Sequence, residues 1–392
     1  MNININGEWH MSKNNCDILV LTATFGDGHK FVANAIKEQV LEVNENINVS
    51  IVDIFEIVSP KLSKGIYKGY EFFIKTNSNL YNYFYYKKDN NKRSQTDELI
   101  LKLYLKDFAD YVIAQNPKII ISTFPICSGF VSKIKERYKV NIALITCITD
   151  AVDSWEWIYP YTDRYFVANE DIKAKLINKG IDEEIIVSTG IPVRREFLNN
   201  ENRDRERDDN RFKLLIMGGG IGLLPEDLSL YRWLDKLENV KTIVVTGNNV
   251  KLMNKLETCE DLKNITVYGY TNRISNLMKE ADVLVSKAGG VTLFEAITSN
   301  LPIIAHKPTL GQEIANGRFI IDKKIGNVSR DVEGLKEQLN YFIEYDDYRR
   351  ELNQNLFKLH QTFKISDMKK HILDLYVYYK SYYYYQKSYK FY

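Results

Sequence analysis

The run Val285-Ser286-Lys287-Ala288-Gly289-Gly290-Val291-Thr292-Leu293-Phe294-Glu295-Ala296 gathers residue types that can hold an anion and read a sugar. An apolar strand over Asp282–Val285 runs into a glycine pair where a helix starts, so unpaired backbone N–H groups and the positive helix end face whatever binds there. That chemistry suits phosphate. Glu295 lies five residues beyond Gly290, about one and a half turns along, which brings a carboxylate within reach of a ribose attached to those phosphates. Further on, Gln312, Glu313 and Asn316 offer side chains that can read sugar hydroxyls. A glycine pair before a helix is a weak signal alone. The whole constellation implies a nucleotide-sugar site.

A second cluster opens the chain. Asp17–Ala23 is an apolar run that ends at Thr24-Phe25-Gly26-Asp27-Gly28-His29, after which Val32, Ala35, Ile36 and Val40 recur at helical spacing. Strand, glycine loop and helix make the first unit of a Rossmann-like fold. A dinucleotide site would want a third glycine where Phe31 stands, so that reading is poor. His29 at a helix start is either a cap or surface residue, or a general base. The triple glycine Gly218-Gly219-Gly220, with Ile221-Gly222 after it, lets backbone approach a ligand closely but lacks the Gly-Lys-Ser/Thr of a phosphate-binding ATPase loop.

The sequence resembles the lipid glycosyltransferases that include monogalactosyldiacylglycerol synthase and the processive diacylglycerol glucosyltransferases, with the peptidoglycan lipid-linked N-acetylglucosaminyltransferase as a more distant cousin. The resemblance rests on Ser286 to Ala296, on Gly311-Gln312-Glu313 with Asn316, on Gly190-Ile191-Pro192-Val193 and on Gly26-Asp27-Gly28-His29. It implies an α/β protein of the GT-B class, with two Rossmann-like domains facing each other across a cleft. It also implies an inverting transfer of galactose or glucose from a UDP-sugar to diacylglycerol, giving a β-linkage. His29 is then the first choice of base, with Asp27 and Asp150 next. The N–H groups of Gly289 and Gly290, Arg194 and the loop of Gly219 and Gly220 would hold the diphosphate. Glu295 would bind ribose, and Gln312 and Glu313 the sugar. Gly28, Ser286, Lys287, Thr292 and Asn316 complete the donor-binding set. No metal cluster is visible, and no cofactor is implied beyond the donor itself. One departure concerns Ala151-Val152-Asp153-Ser154-Trp155-Glu156-Trp157, where relatives commonly carry a histidine. Trp155 and Trp157 are open to sugar stacking, a lipid interface or core packing.

At 392 residues two domains are expected: 1–198 for acceptor and membrane, 211–355 for the UDP-sugar, and 356–392 as a helix returning to the first domain with a tail rich in Tyr and Lys. The charged stretch 199–210 has no apolar residue and reads as the linker. A formal charge of +2 gives no global field to recruit nucleic acid. Cys16, Cys127, Cys147 and Cys259 are scattered and read as structural thiols of a cytosolic protein. No secretory signal and no run of about 18 apolar residues is present, so a membrane role would be exercised from the surface.

Residues 60–93 interleave aromatics (Tyr67, Phe72, Phe73, Tyr81, Phe84) with lysines (Lys64, Lys68, Lys75, Lys87), which suits docking on anionic lipid; a helical insertion packed in the core is the alternative. The expected location is cytoplasmic, peripheral on the inner face of the cell membrane, with no protein partner evident. Two rival readings stand beside the lipid transferase. One is a soluble UDP-sugar enzyme on the same fold, such as a 2-epimerase; the other is a binding protein without turnover.

Overall fold

The computed structural model describes residues 16–59, 65, 95–198 and 211–388. The aromatic and lysine-rich stretch 60–93 (apart from Gly65), the linker 199–210 and the last residues 389–392 lie outside the described residues.

The first half contains β1 (Ile18–Thr22), α1 (Gly28–Val43), β2 (Val49–Asp53), α2 (Ile54–Val58), α3 (Gln95–Gln115), β3 (Ile119–Ser122) and α4 (Pro125–Tyr138). It continues with β4 (Ala143–Cys147), β5 (Arg164–Val167), α5 (Glu170–Asn178), β6 (Ile186–Ser188) and α6 (Arg195–Leu198). Every residue of β1, β3 and β4 is buried, as expected for short branched runs covered by helices on both faces. The strands pair in parallel in the order β2-β1-β3-β4-β5-β6, with Val20 beside Ile51 on one side and Ile121 on the other.

The second half contains β7 (Phe212–Met217), α7 (Leu228–Asp235), β8 (Val240–Val245), α8 (Val250–Glu257), β9 (Ile265–Tyr268), α9 (Ile274–Glu280) and β10 (Val283–Ser286). After these come α10 (Gly290–Thr298), β11 (Ile303–His306), α11 (Gly311–Asp322), β12 (Gly326–Ser329), α12 (Val332–Glu344), α13 (Asp346–Gln361) and α14 (Ile365–Ser388). The second sheet is parallel too, ordered β12-β11-β10-β7-β8-β9. In each sheet the strand order reverses beside the first strand of that half, and open sheets of this kind bind ligands at such a switch point. The halves are the two Rossmann-like units of the GT-B class. They meet through α1 and α10, the two helices that follow glycine loops.

One sequence expectation, the boundary at 355/356, needs correction, and two stretches left open by the sequence are filled in. The helix after the triple glycine does not start at the loop; residues 218–227 stay irregular and α7 starts only where Asp227 caps Ser229. Gly219 and Gly222 take positive φ, so no right-handed helix runs through 219–222. A boundary at 355/356 would cut α13, which runs unbroken with Leu352, Leu356 and Leu359 buried. The Tyr-rich region is helical over its first part: α14 continues to Ser388, Tyr376 is buried, and the Tyr379 hydroxyl donates to Asp163 Oδ1 at 3.2 Å.

The return of the chain to the first half begins beside Ser188 and Gly190. The N–H of Lys364 donates to the Ser188 carbonyl, and Phe363 covers Gly190 so closely that a Cβ there would stand 2.9 Å from its ring. Gly190 also holds φ at +73°. Gly190→Ala is therefore expected to lower the unfolding free energy by about 2 kcal/mol or more, combining left-handed strain with the ring clash. Urea unfolding midpoints at unchanged slope measure it; an unchanged midpoint would show that the ring moves aside freely.

Candidate active site

A cavity of about 200 Å³ lies between the halves, lined from the first by Asp27, Gly28, His29, Asp150 and Arg194. The second half contributes Gly219, Gly220, Lys287, Gly289, Gly290, Thr292, Glu295, Gln312 and Glu313. Of the residues expected from the sequence, only Ser286 and Asn316 are outside this lining. Ser286 ends β10 with its hydroxyl donating to the Met217 carbonyl at 2.8 Å, which ties the strand to its neighbour β7. Asn316 is fully buried between the halves.

His29 is the second residue of α1, half-buried, with its ring edge-on to Phe124 at 5.0 Å. Its Nδ1 is 2.9 Å from the Thr123 carbonyl and 3.0 Å from Thr149 Oγ1. A carbonyl can only accept, so Nδ1 carries the hydrogen and Nε2 keeps its lone pair. Burial pushes the imidazole pKa down to about 4; the Thr123 carbonyl works against this, and the charge of Lys287 adds to it. The ring is therefore neutral near neutral pH, with its lone pair at Nε2.

Opposite it, α10 begins at Gly290 with Gly289 as its N-cap. The sequence suggested that the N–H groups of these glycines hold phosphate. In the structure the Gly289 N–H donates to the Lys287 carbonyl at 2.9 Å, and the Gly290 N–H donates to Asp150 Oδ1 at 3.1 Å. The first intrahelical bond runs from Leu293 N–H to the Gly289 carbonyl. The Val291 and Thr292 N–H groups are thus the helix-end donors with no intrahelical acceptor, and both residues line the cavity.

The charged groups around this end are mutually engaged. Lys287 Nζ stands 3.6 Å from Glu313 Oε1, and the other oxygen of Glu313 accepts from the Thr309 N–H at 3.2 Å, reaching back over the start of α11. Glu295 is buried and accepts from Arg194 Nε at 3.1 Å and Nη2 at 2.9 Å. Arg194 also pairs with Glu196 at 3.0 Å, and its guanidinium stacks over Phe31 and Phe197. Arg194 was read as a phosphate ligand; here it is the partner of two carboxylates, so Lys287 is the less committed cation. Burial pushes the Glu295 carboxyl up to about 7 despite Arg194. Burial also raises Asp150 to about 6, against the bonds from Asn316 and Gly290 and the charge of Lys287.

Contact across the cleft is close. A Cβ on Gly290 would fall 2.1 Å from the Thr149 carbonyl, and one on Gly220 would fall 1.7 Å from Asp27 Oδ2. At 290 the atom struck is backbone, so only glycine lets these segments meet, and part of the glycine pattern serves the approach of the two halves.

Sequence reasoning missed the Thr123 carbonyl that fixes the tautomer of His29, because a backbone acceptor 94 residues away leaves no mark in residue types. It left the tryptophans open, and the structure places them away from the cavity. Trp157 is buried in the core, and Trp155 lies under the Lys179 ammonium at 5.2 Å.

Residues 29–193 match the family model described as monogalactosyldiacylglycerol (MGDG) synthase, and residues 204–358 match glycosyl transferases group 1. The processive diacylglycerol beta-glucosyltransferase of Bacillus licheniformis is 30% identical over 353 residues, spanning 88% of this chain and 91% of that protein. Its namesake from Staphylococcus carnosus is 28% identical over 378 residues, spanning 93% and 95%. Among solved structures, MurG of Acinetobacter baumannii has a TM-score of 0.61 at 16% identity, over 92% of this chain and 99% of that one. The UDP-GlcNAc 2-epimerase of Neisseria meningitidis bound to UDP-GlcNAc has 0.55 at 15% identity, over 92% and 99%. These two likenesses establish the fold alone, since enzymes of different reaction share it. Sequence identity over nearly the full length separates them: this chain belongs to the family of monogalactosyldiacylglycerol synthases and processive diacylglycerol β-glucosyltransferases.

Proposed function

We propose that the protein is an inverting glycosyltransferase that moves galactose or glucose from a UDP-sugar to diacylglycerol at a membrane surface. The observation that carries this reading is His29, a neutral imidazole with its proton fixed on Nδ1 by a carbonyl, facing a helix N-terminus and Lys287 across one cavity. In the proposed step the acceptor hydroxyl gives its proton to His29 Nε2 as its oxygen bonds to the anomeric carbon. The bond from that carbon to the phosphate oxygen breaks, and UDP leaves from the opposite face, which makes the product a β-glycoside. Charge developing on the departing diphosphate is met by Lys287 and by the Val291 and Thr292 N–H groups, with neither a metal nor a cofactor in the scheme. Gln312 and Glu313 are assigned to the hexose and Glu295 to the ribose; Asp27 and Asp150 stand as alternatives to His29.

Among the described residues no helix is long and apolar enough to cross a membrane. The proposal places the protein on the inner face of the cell membrane, with the lysines of 60–93 drawn to anionic lipid. Vesicles of diacylglycerol and anionic lipid, given UDP-galactose or UDP-glucose separately, are expected to yield a monohexosyl product from one donor with matching release of UDP. Absence of both product and UDP release would remove diacylglycerol as the acceptor.

A further inference from the structure

Asn316 was read as a sugar ligand, yet every polar atom of its side chain is already committed. Its amide nitrogen donates to Asp150 Oδ1 and to the Ala288 carbonyl, each at 2.8 Å, and its oxygen accepts from the Ala151 N–H at 2.8 Å. Asp150 and Ala151 belong to the loop after β4 in the first half. Ala288 and Asn316 belong to the second. One fully buried side chain thus joins loop 150–151, the loop before α10 and helix α11.

The consequences reach the base. Asp150 Oδ1 also accepts from the Gly290 N–H, so the carboxylate is seated on the end of α10. Thr149, its chain neighbour, places Oγ1 3.0 Å from His29 Nδ1, the same nitrogen that meets the Thr123 carbonyl. We propose that Asn316 is a positioning residue which fastens the two halves together through Asp150 and thereby sets the orientation of His29. The Thr123 carbonyl holds the imidazole from its own half, and the second contact comes from a segment held from the opposite half, so the alignment is completed when the cleft is closed. A side chain used in this way cannot also read sugar hydroxyls without releasing Asp150.

The inference rests on the glycosyl-transfer reading for its kinetic test, while its closure test needs no turnover. Asn316→Leu keeps the approximate size and removes all three hydrogen bonds. Its kcat is expected to fall about 100-fold while the donor KM changes by less than about threefold, the pattern of lost alignment. Small-angle scattering of the full unliganded chain is expected to show a larger radius of gyration than wild type. An unchanged radius overturns the proposal. So does a raised donor KM with intact kcat, which would make Asn316 an ordinary sugar ligand.

Asn316→Asp supplies a second test should the leucine variant fail to fold. Its carboxyl can donate to Asp150 only while the pair holds a proton, so its activity relative to wild type is expected to rise as pH falls. Lys287, Glu313 and His29 are the other charged or titratable groups around Asp150, and they are common to both proteins. A relative activity that is flat with pH overturns the proposal. If wild type transfers no sugar to any vesicle, the scattering comparison still decides whether Asn316 closes the cleft.

Discussion

His29→Gln is expected to lower kcat for hexose transfer about a thousandfold near neutral pH, with the donor KM within about threefold of wild type. Glutamine keeps a neutral polar side chain of similar reach and much of the volume packed against Phe124, but has no basic lone pair. The loss therefore isolates proton removal from donor binding. The pH profile adds a second reading. With its pKa held down to about 4, His29 stays neutral through the weakly acidic range. An acid limb of kcat/KM seen above that value belongs to Asp150 and Glu295, whose carboxyls burial raises to about 6 and about 7. That limb is expected to stay in place in His29→Gln. Wild-type kcat in the variant would transfer the base role to Asp150 or Asp27, and a limb that vanished with the histidine would show that His29 itself titrates there.

Lys287→Gln is expected to lower kcat about 100-fold and to weaken the binding of free UDP in calorimetry. The ammonium lies at the centre of the site. Its Cε would be 3.3 Å from a Cβ on Gly219 and 3.7 Å from one on Gly289, between the triple-glycine loop and the start of α10. Its charge is felt at both His29 and Asp150, lowering the pKa of each. Removing it should therefore raise the imidazole pKa, a shift that histidine NMR can follow without any substrate. Charge on the leaving diphosphate grows during bond breaking, so the loss belongs mainly in kcat. Full activity with unchanged UDP affinity would leave the α10 end and Arg194 as the diphosphate holders and remove Lys287 from the scheme.

Much of the architecture was legible because each half repeats one local pattern: a short, mostly apolar run of three to six residues, a break often marked by glycine or proline, then a helix. The cavity-facing glycines and His29 were legible for the same reason, lying where a strand hands over to a helix. Illegible features all depend on the approach of segments far apart in sequence. Nothing in the residue types says that Asp150 seats on the Gly290 N–H, 140 positions away, or that Arg194 turns to Glu295, 101 positions away. The glycine pair before α10 was read as an anion cradle, but the close approach of Thr149 and Asp150 is a second and independent demand for glycine at 290. Two physical causes left one identical mark.

The chain passes between the halves twice, once between Leu198 and Arg211 and once between Gln361 and Ile365. The second passage lies against Ser188 and Gly190, a few residues before the first begins, and Phe363 there stacks on Phe294 of α10 at 5.1 Å. The Phe363 ring is thus gripped from both sides, by Gly190 of the first half and Phe294 of the second, which makes residues 362–364 a packed joint and not a loose strap.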